Sequence, residues 1–219
     1  MDPTERPETH VVRFGKTTRW FHWSFALSFL CLAATGAGLS LRSPLGISAA
    51  TGTRLLDVHK VAAICPVVLP AWVVLAGQTR ELFQDLRGLL VWSRDDLRWL
   101  ALQPISALRS VELPPAGKLN AGQKVNSIAT IGLSAGLLGS GLWLWREPGA
   151  LLPLVFHVGC FLVWIPLFAG HLALALILPG TRPALLGMAF GQVRREWAAH
   201  HHPRWLRELE AGDGPQRTE

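Results

Sequence analysis

The chain has 219 residues, of which half are hydrophobic and only 16% are charged. This composition, together with four uncharged apolar stretches of bilayer length, excludes an ordinary soluble globular protein and indicates an integral membrane protein. The formal net charge of +6 does not indicate a nucleic-acid partner, because the basic residues follow the pattern expected of membrane topology.

Four transmembrane helices are predicted in chain order. A helix needs about 20 mostly apolar residues to cross the hydrocarbon core of a bilayer. The predicted spans cover residues 20–41, 55–77, 125–145 and 150–179, with a loop at 78–124 and a tail at 181–219. They leave too little chain for a separate soluble domain. Residues 1–219 are therefore predicted to form one all-α domain, an integral membrane four-helix bundle.

Several segments carry local signals. Pro66 and Pro70 predict a kink in the second span. Leucines at helical spacing within residues 82–90 predict a helix that lies on the membrane surface. Gly132 and Gly136 form a small-residue face, which predicts close approach either of a neighbouring helix or of a flat ligand.

The distribution of Lys and Arg predicts the orientation. Four lie in the N-terminal segment, seven in residues 78–124 and six in the tail, whereas the two other connections, together with the residues at the span edges, hold only four. Because cytoplasmic segments carry the excess of basic residues, both termini and the long loop are predicted to be cytoplasmic.

Four histidines lie inside or at the edges of the apolar spans: His22, His59, His157 and His171. Ionisable residues in lipid are costly and usually functional. With the predicted topology, His59 and His157 lie at one membrane depth, and His22 and His171 at the other. His171 follows His157 by 14 positions, which is nearly four helical turns, so both imidazoles point to one side of the helix.

Two facing imidazoles across a helical bundle suit the axial positions of a haem. Zinc would require three or four ligands, and a proton relay would be expected to add Asp or Glu within the spans. A haem with both axial positions filled serves electron transfer. Arg19 and Arg13 on the cytoplasmic side and Arg54 on the periplasmic side are candidate partners of the haem propionates.

Two further groups favour the simpler structural interpretation. Cys31, Cys65 and Cys160 all lie in apolar spans without a Cys-x-x-Cys pair, so no iron–sulfur cluster is predicted in this chain. The tail is predicted to be helical from Gly187 onwards and contains three consecutive histidines at residues 200–202. Adjacent histidines on a helix do not share a face, so docking to a partner or to lipid headgroups is favoured over metal binding.

Several motifs resemble those of the cytochrome b (gamma) subunit of respiratory formate dehydrogenases. The segments that carry the resemblance are Gly117–Lys124 (GKLNAGQK), Gly191–Trp197 (GQVRREW), His201–Glu210 (HHPRWLRELE), Arg19–Trp23 (RWFHW) and Thr35-Gly36. The resemblance runs from about Val11 to Glu210. The chain departs from the family at Lys60–Ala63, where an aromatic-rich stretch with glycine is usual, and after His171, where an aromatic residue is usual.

The resemblance implies a diheme membrane subunit of the bacterial cytoplasmic (inner) membrane, with two haem b. Its implied partners are an iron–sulfur (beta) subunit and a molybdenum or tungsten catalytic (alpha) subunit. Electrons would enter at the His59/His157 haem, pass to the His22/His171 haem and reach a quinone. The implied quinone pocket corresponds to three polar or small residues and the neighbourhood of His171: Asn120, Gly122 and Gln123.

Two other interpretations stay open at this stage. The chain could be the diheme cytochrome b of a hydrogenase or of a sulfur-compound reductase. It could also belong to a different class, a haem-free membrane anchor or small transporter, which predicts no absorbing pigment. In the favoured interpretation the chain is an electron-transferring subunit without a catalytic residue of its own.

Overall fold

The computed structural model describes residues 9–106, 108–109 and 111–212. This part of the chain is mostly helical, and four helical stretches in it are long and apolar enough to cross a membrane. They cover Lys16–Ser40, Ala49–Ala76, Ala121–Arg146 and Leu151–Ile177. The prediction of four apolar helices is confirmed, and the cytoplasmic location of the termini stays a prediction.

The elements in chain order are β1 (His10–Val12), α1 (Lys16–Ser40), α2 (Ala49–Ala62), α3 (Cys65–Ala76), α4 (Thr79–Leu90), α5 (Arg94–Ser106), α6 (Ala121–Arg146), α7 (Leu151–Leu172), a π-helical turn (Ala173–Ile177), α8 (Ala184–Phe190), β2 (Gln192–Arg194), α9 (Arg195–His201) and α10 (Pro203–Glu210).

The chain forms two compact units, which are described separately. The first, here called the cavity unit, consists of residues 16–79 and 132–165. The second, here called the tail unit, consists of the described parts of residues 1–15, 80–131 and 166–219. Helices α6 and α7 each contribute one segment to the cavity unit and another to the tail unit.

In the cavity unit, α1 packs against α2 and α3. The chain leaves α1 through a turn in which Gly46 has a φ of 63°, a conformation that glycine adopts without strain. The Ser48 hydroxyl then accepts a hydrogen bond from the N–H of Thr51 and caps α2. This cap explains why the helix begins at Ala49, six residues before the predicted span at 55.

The second span is broken into two helices just before Pro66. Helix α2 ends at Ala62 and α3 begins at Cys65, with Pro66 in its first turn. A proline ring clashes with the carbonyl four residues earlier and donates no hydrogen bond, so Pro66 is incompatible with a helix that continues through Ala62. The predicted kink is confirmed, although Pro70 lies inside α3 without ending it.

The tail unit contains a small β-ribbon that the all-α prediction lacked. Strands β1 and β2 pair antiparallel, with Val11 opposite Val193. Gly191, with a φ of 89°, ends α8 and turns the chain into β2, so the tail is not one continuous helix from Gly187 as predicted. The core of this unit joins the ribbon to α9 and α10 through Val11, Val193, Ala198, Trp205 and Leu206.

The leucine-rich segment of the long loop is helical, as predicted, and forms α4. Leu82 and Leu89 are buried, whereas Phe83 and Leu90 are exposed. Helix α6 begins at Ala121, four residues before the predicted span, because the side chains of Asn120 and Gln123 cap it.

Candidate functional site

A cavity of about 670 Å³ lies within the cavity unit. Residues of α1, α2, α3, α6 and α7 line it, and most of these residues are apolar. Its volume is within the range of about 300–1,000 Å³ typical of small-molecule and cofactor sites. His59 and His157 are both in its wall, so the structure brings these two histidines together at one chamber.

The two imidazoles are spaced as ligands of one metal ion would be. Their ring centroids are 6.3 Å apart, and their planes are inclined by 77°. A metal–imidazole bond is roughly 2 Å long, so two such bonds plus the two ring radii account for the observed separation. The pair therefore fits the two axial positions of a haem.

Each histidine is held by a hydroxyl from the neighbouring helix. Thr35 Oγ1 on α1 lies 2.7 Å from His59 Nδ1. Ser140 Oγ on α6 lies 2.9 Å from His157 Nδ1. Each hydroxyl also approaches carbonyl oxygens of its own helix, the nearest being Cys31 O at 2.9 Å and Gly136 O at 2.6 Å.

These distances determine where the protons lie. Two oxygens at 2.6 Å or 2.9 Å need a proton between them, so each hydroxyl donates its single proton to the carbonyl of its own helix. The hydroxyl oxygen must then accept from Nδ1–H of the histidine. Nδ1 is therefore the protonated nitrogen in both rings, and Nε2 keeps the lone pair that a metal requires. The donor set fits a haem iron.

Glycines give the two rings room. A Cβ atom added to Gly36 would lie 3.3 Å from His59 Cε1, and one added to Gly141 would lie 3.3 Å from His157 Cε1. The predicted small-residue face behaves differently at its two positions. Gly136 allows close approach of Phe156 and Cys160, whereas a Cβ on Gly132 would meet nothing within 4 Å.

The charge beside the cavity differs from the candidate named from the sequence. Lys60 directly follows His59, is half-buried and lies in the cavity wall. Among the described residues that line the cavity, Lys60 is the one Lys, Arg, Asp or Glu. Arg54 is exposed and does not line the cavity. From the sequence, Lys60 is only a basic residue at a span edge, and Arg54 is the predicted partner of a propionate on this side.

The other histidine pair is divided between the two units. His22 lies on α1 in the cavity unit, where its ring makes an edge contact with Trp23 at 5.2 Å between centroids. His171 lies near the end of α7 in the tail unit, separated from the π-helical turn by Leu172 alone. Single π turns inside helices are frequent at functional sites. The assignment of this pair, and that of Arg19, stays a prediction.

Asn120 and Gln123 form a reciprocal cap at the start of α6. Gln123 Oε1 accepts from the N–H of Asn120 at 3.0 Å, and Asn120 Oδ1 accepts from the N–H of Gln123 at 2.9 Å. The acceptor atoms of both amides are thus used by the helix, and the NH2 groups are the donors that the cap leaves over. Gly122 faces Trp99, whose ring is 3.1 Å from a Cβ built there.

A buried ion pair follows this cap. Lys124 Nζ lies 3.0 Å from Asp96 Oδ2 and donates to the carbonyl of Val91 at 2.8 Å, and both charged side chains are only 6% exposed. Burial alone would raise the pKa of Asp96, but hydrogen bonds from Ser93 and Lys124 outweigh it and lower that pKa. The ion pair fixes the start of α6 to the first turn of α5, and the hydrogen bond to Val91 fixes it to the segment between α4 and α5.

A second buried polar cluster joins the three chain segments of the tail unit. Arg13, 2% exposed, donates through Nη2 to the carbonyl of Lys118 and to Nε2 of His202, both at 2.9 Å. His202, 1% exposed, donates from Nδ1 to the carbonyl of Gly117 at 2.7 Å. Arg13 is thus engaged in protein contacts rather than positioned for a propionate, and His202 is too buried to contact a partner or lipid.

Burial and the neighbouring Arg13 lower the pKa of His202 to about 3, despite the opposing effect of its hydrogen bond to Gly117. Burial also lowers the pKa of Arg13 to about 10, against the attraction of Asp85. His202 is therefore neutral at physiological pH, as its acceptor role toward Arg13 requires. Sequence reasoning missed this cluster, since Arg13 and His202 are 189 positions apart.

Comparison with known proteins identifies related sequences. The family model described as prokaryotic cytochrome b561 matches residues 13–191. The "Formate dehydrogenase, nitrate-inducible, cytochrome b556(Fdn) subunit" of Escherichia coli (strain K12) is 25% identical over 223 residues, 95% of this chain and 96% of the relative. The "Formate dehydrogenase, cytochrome b556(fdo) subunit" of the same organism is 28% identical over 209 residues, 91% and 93% of the two chains.

A third relative, the "Formate dehydrogenase, cytochrome b556 subunit" of Haemophilus influenzae, is 26% identical over 220 residues, 92% of this chain and 84% of the relative. All three relatives carry the same kind of name and match this chain over nearly its whole length. The resemblance drawn from the sequence motifs is confirmed.

Proposed function

This chain belongs to the prokaryotic cytochrome b561 family, and from that premise we propose that it is the membrane subunit of a formate dehydrogenase complex that passes electrons to quinone. Family membership gives the chain a membrane electron-transfer role and implies haem b. The proposal adds two haem groups, a quinone site and catalytic partners.

The observation that carries the proposal is the His59/His157 pair at the cavity, with both Nδ1 atoms engaged and both Nε2 atoms available to a metal. A haem b held there by His59 and His157 would supply one-electron oxidation and reduction. His22 and His171 are proposed to hold a second haem, on the basis of the 14-residue spacing along the last span and the family resemblance.

The side chains around the cavity suit an anionic, flat cofactor. Most of the cavity wall is apolar, and Lys60 supplies the positive charge that a propionate would need. We propose Lys60, rather than the exposed Arg54, as the principal cationic partner on this side. Arg19 remains the proposed cationic residue near His22.

The quinone site is proposed at the start of α6. Quinone reduction consumes two electrons and two protons and yields the quinol, so a suitable site needs hydrogen-bond donors for the quinone carbonyls and a path for protons. The NH2 groups of Asn120 and Gln123 are such donors, and Gly122 between them lets the ring of Trp99 lie close to this end of the helix. With the predicted topology, this end of the helix faces the cytoplasm, from which the protons would come.

The proposed partners are an iron–sulfur subunit and a molybdenum or tungsten catalytic subunit in the bacterial cytoplasmic membrane, consistent with the names of the relatives. The electrons would enter on the side of His59 and His157 and leave on the side of His22 and His171. The chain itself would carry no residue that acts on formate.

The proposed direction of electron flow is tested with two histidine variants in the assembled complex. His171→Ala should lose one haem and quinone reduction, while the remaining haem is still reduced by formate. His59→Ala should lose the other haem and block the entry of electrons. His10→Ala, at an exposed histidine in β1, is the matched control and should retain both haems. Quinone reduction that persists in His171→Ala would contradict the proposal.

A further inference from the structure

The walls of the cavity repeat one local arrangement. On α1, Thr35 contacts the Nδ1 atom of His59, and the next residue, Gly36, faces Cε1 of the same ring. On α6, Ser140 contacts the Nδ1 atom of His157, and the next residue, Gly141, faces Cε1 of that ring. Two separate helices thus present a hydroxyl and then a glycine to the edge of a histidine on the adjoining helix.

We propose that Thr35 and Ser140 are positioning residues that set the reduction potential of the group held by His59 and His157. The inference rests on the proposed function, because it requires a haem at this pair. It goes beyond that function in assigning a role to two residues that do not touch the cofactor.

The chemical reason lies in the direction of the hydrogen bond. Each hydroxyl has committed its proton to a carbonyl of its own helix, so it can only accept from Nδ1–H. An imidazole that donates from Nδ1 becomes a better electron donor at Nε2, and outer-shell partners of this kind tune metal sites. Stronger donation favours the oxidised iron, so these hydroxyls lower the reduction potential.

The glycines complete the geometry. A contact of 3.3 Å between an added Cβ and a ring carbon is tighter than ordinary van der Waals contact, so a side chain at Gly36 or Gly141 would displace the imidazole. The hydroxyl fixes the rotation of the ring, and the glycine lets the ring lie against the helix. Together they hold the two ring planes at their 77° inclination.

A purely structural role of the hydroxyls can be separated from the proposed one. Ser and Thr often bond to carbonyls of their own membrane helix without further consequence. Ser28 on α1 does so through Ser24 O at 2.7 Å and is buried like Thr35. Ser28 does not line the cavity, so Ser28→Ala is a matched control.

The test is a redox titration of the full-length protein, followed by its reduced-minus-oxidised visible spectrum. Thr35→Val and Ser140→Ala should each raise the midpoint of one haem and leave the other unchanged. We expect the oxidised-to-reduced ratio at a fixed potential to change about tenfold, similar to the smaller effects of outer-shell partners on metal affinity; this change corresponds to about 59 mV for one electron. Thr35→Ser should restore the original midpoint, and Ser28→Ala should retain it.

The outcomes distinguish the inference from the function on which it rests. A wild-type protein without haem would overturn the proposed function itself. A wild-type protein with haem, whose Thr35→Val and Ser140→Ala variants keep the original midpoints, would overturn only the inference. Loss of one haem in Thr35→Val but not in Thr35→Ser or Ser28→Ala would support the positioning role.

Discussion

Acidification should loosen the tail unit, because His202 must be neutral to remain where it lies. Its Nε2 accepts from Arg13 and its Nδ1 donates to the carbonyl of Gly117, so the ring has no place for a second proton. The perturbation is a change from pH 7 to pH 5. Partial burial also lowers the pKa of His201, so its contribution has the same sign.

The magnitude follows from the two pKa values of His202. The ordinary value is 6.5, and in the folded chain it is about 3. Between these values the unfolded state binds more protons, so stability is fully present above pH 6.5 and falls as the pH drops toward 3. At about 1.4 kcal/mol per pH unit, moving to pH 5 costs about 2 kcal/mol, or roughly 30-fold in the opening equilibrium.

Hydrogen exchange of residues 195–210, corrected for the intrinsic effect of pH, measures this opening equilibrium. The wild-type segment should lose roughly 30-fold of its protection between pH 7 and pH 5. His202→Gln keeps an acceptor for Arg13 but cannot titrate, so its protection should be lower at pH 7 and much less dependent on pH. Equal pH dependence in the two proteins would refute the reasoning.

Two further predictions concern charged residues, one in the tail unit and one in the cavity wall. Asp96→Asn should lower the free energy of unfolding by about 3–5 kcal/mol, because it leaves Lys124 charged and buried. The double change Asp96→Leu with Lys124→Met should recover much of this loss. A double variant as unstable as Asp96→Asn would argue against an uncompensated charge as the cause. Lys60→Met should lower the midpoint potential of the haem proposed at His59 and His157, by the equivalent of a free energy on the order of 1 kcal/mol, whereas Lys60→Arg should leave that potential unchanged. Potentiometric titration measures the shift, and equal midpoints in Lys60→Met and the wild type would exclude Lys60 as a partner of the cofactor.

The placement of His59 and His157 at one chamber could be anticipated from the sequence. Apolar stretches of bilayer length predict helices, and the bias of Lys and Arg predicts their directions. Helix direction then determines which histidines share a depth. The break before Pro66 was also predictable, because it depends on a local steric clash.

The hydrogen bonds between the hydroxyl groups and the two histidines could not be predicted from the sequence. Thr35 and His59 are 24 positions apart, and Ser140 and His157 are 17 apart, so their pairing depends on how each helix is rotated about its axis. Hydrophobic pattern gives little information on rotation when a helix faces lipid on one side and an apolar cavity on the other. The capping role of Asn120 and Gln123 does have a local sequence signal, an Asn followed three residues later by a Gln.

The most direct test of the central claim is the haem content of the purified full-length chain. A reduced-minus-oxidised visible spectrum combined with pyridine haemochrome quantification gives the type of haem and the number per chain. We predict two haem b per wild-type chain and one in each of the variants His59→Ala and His171→Ala. A chain that binds no haem b, or variants that retain the wild-type content, would contradict the account.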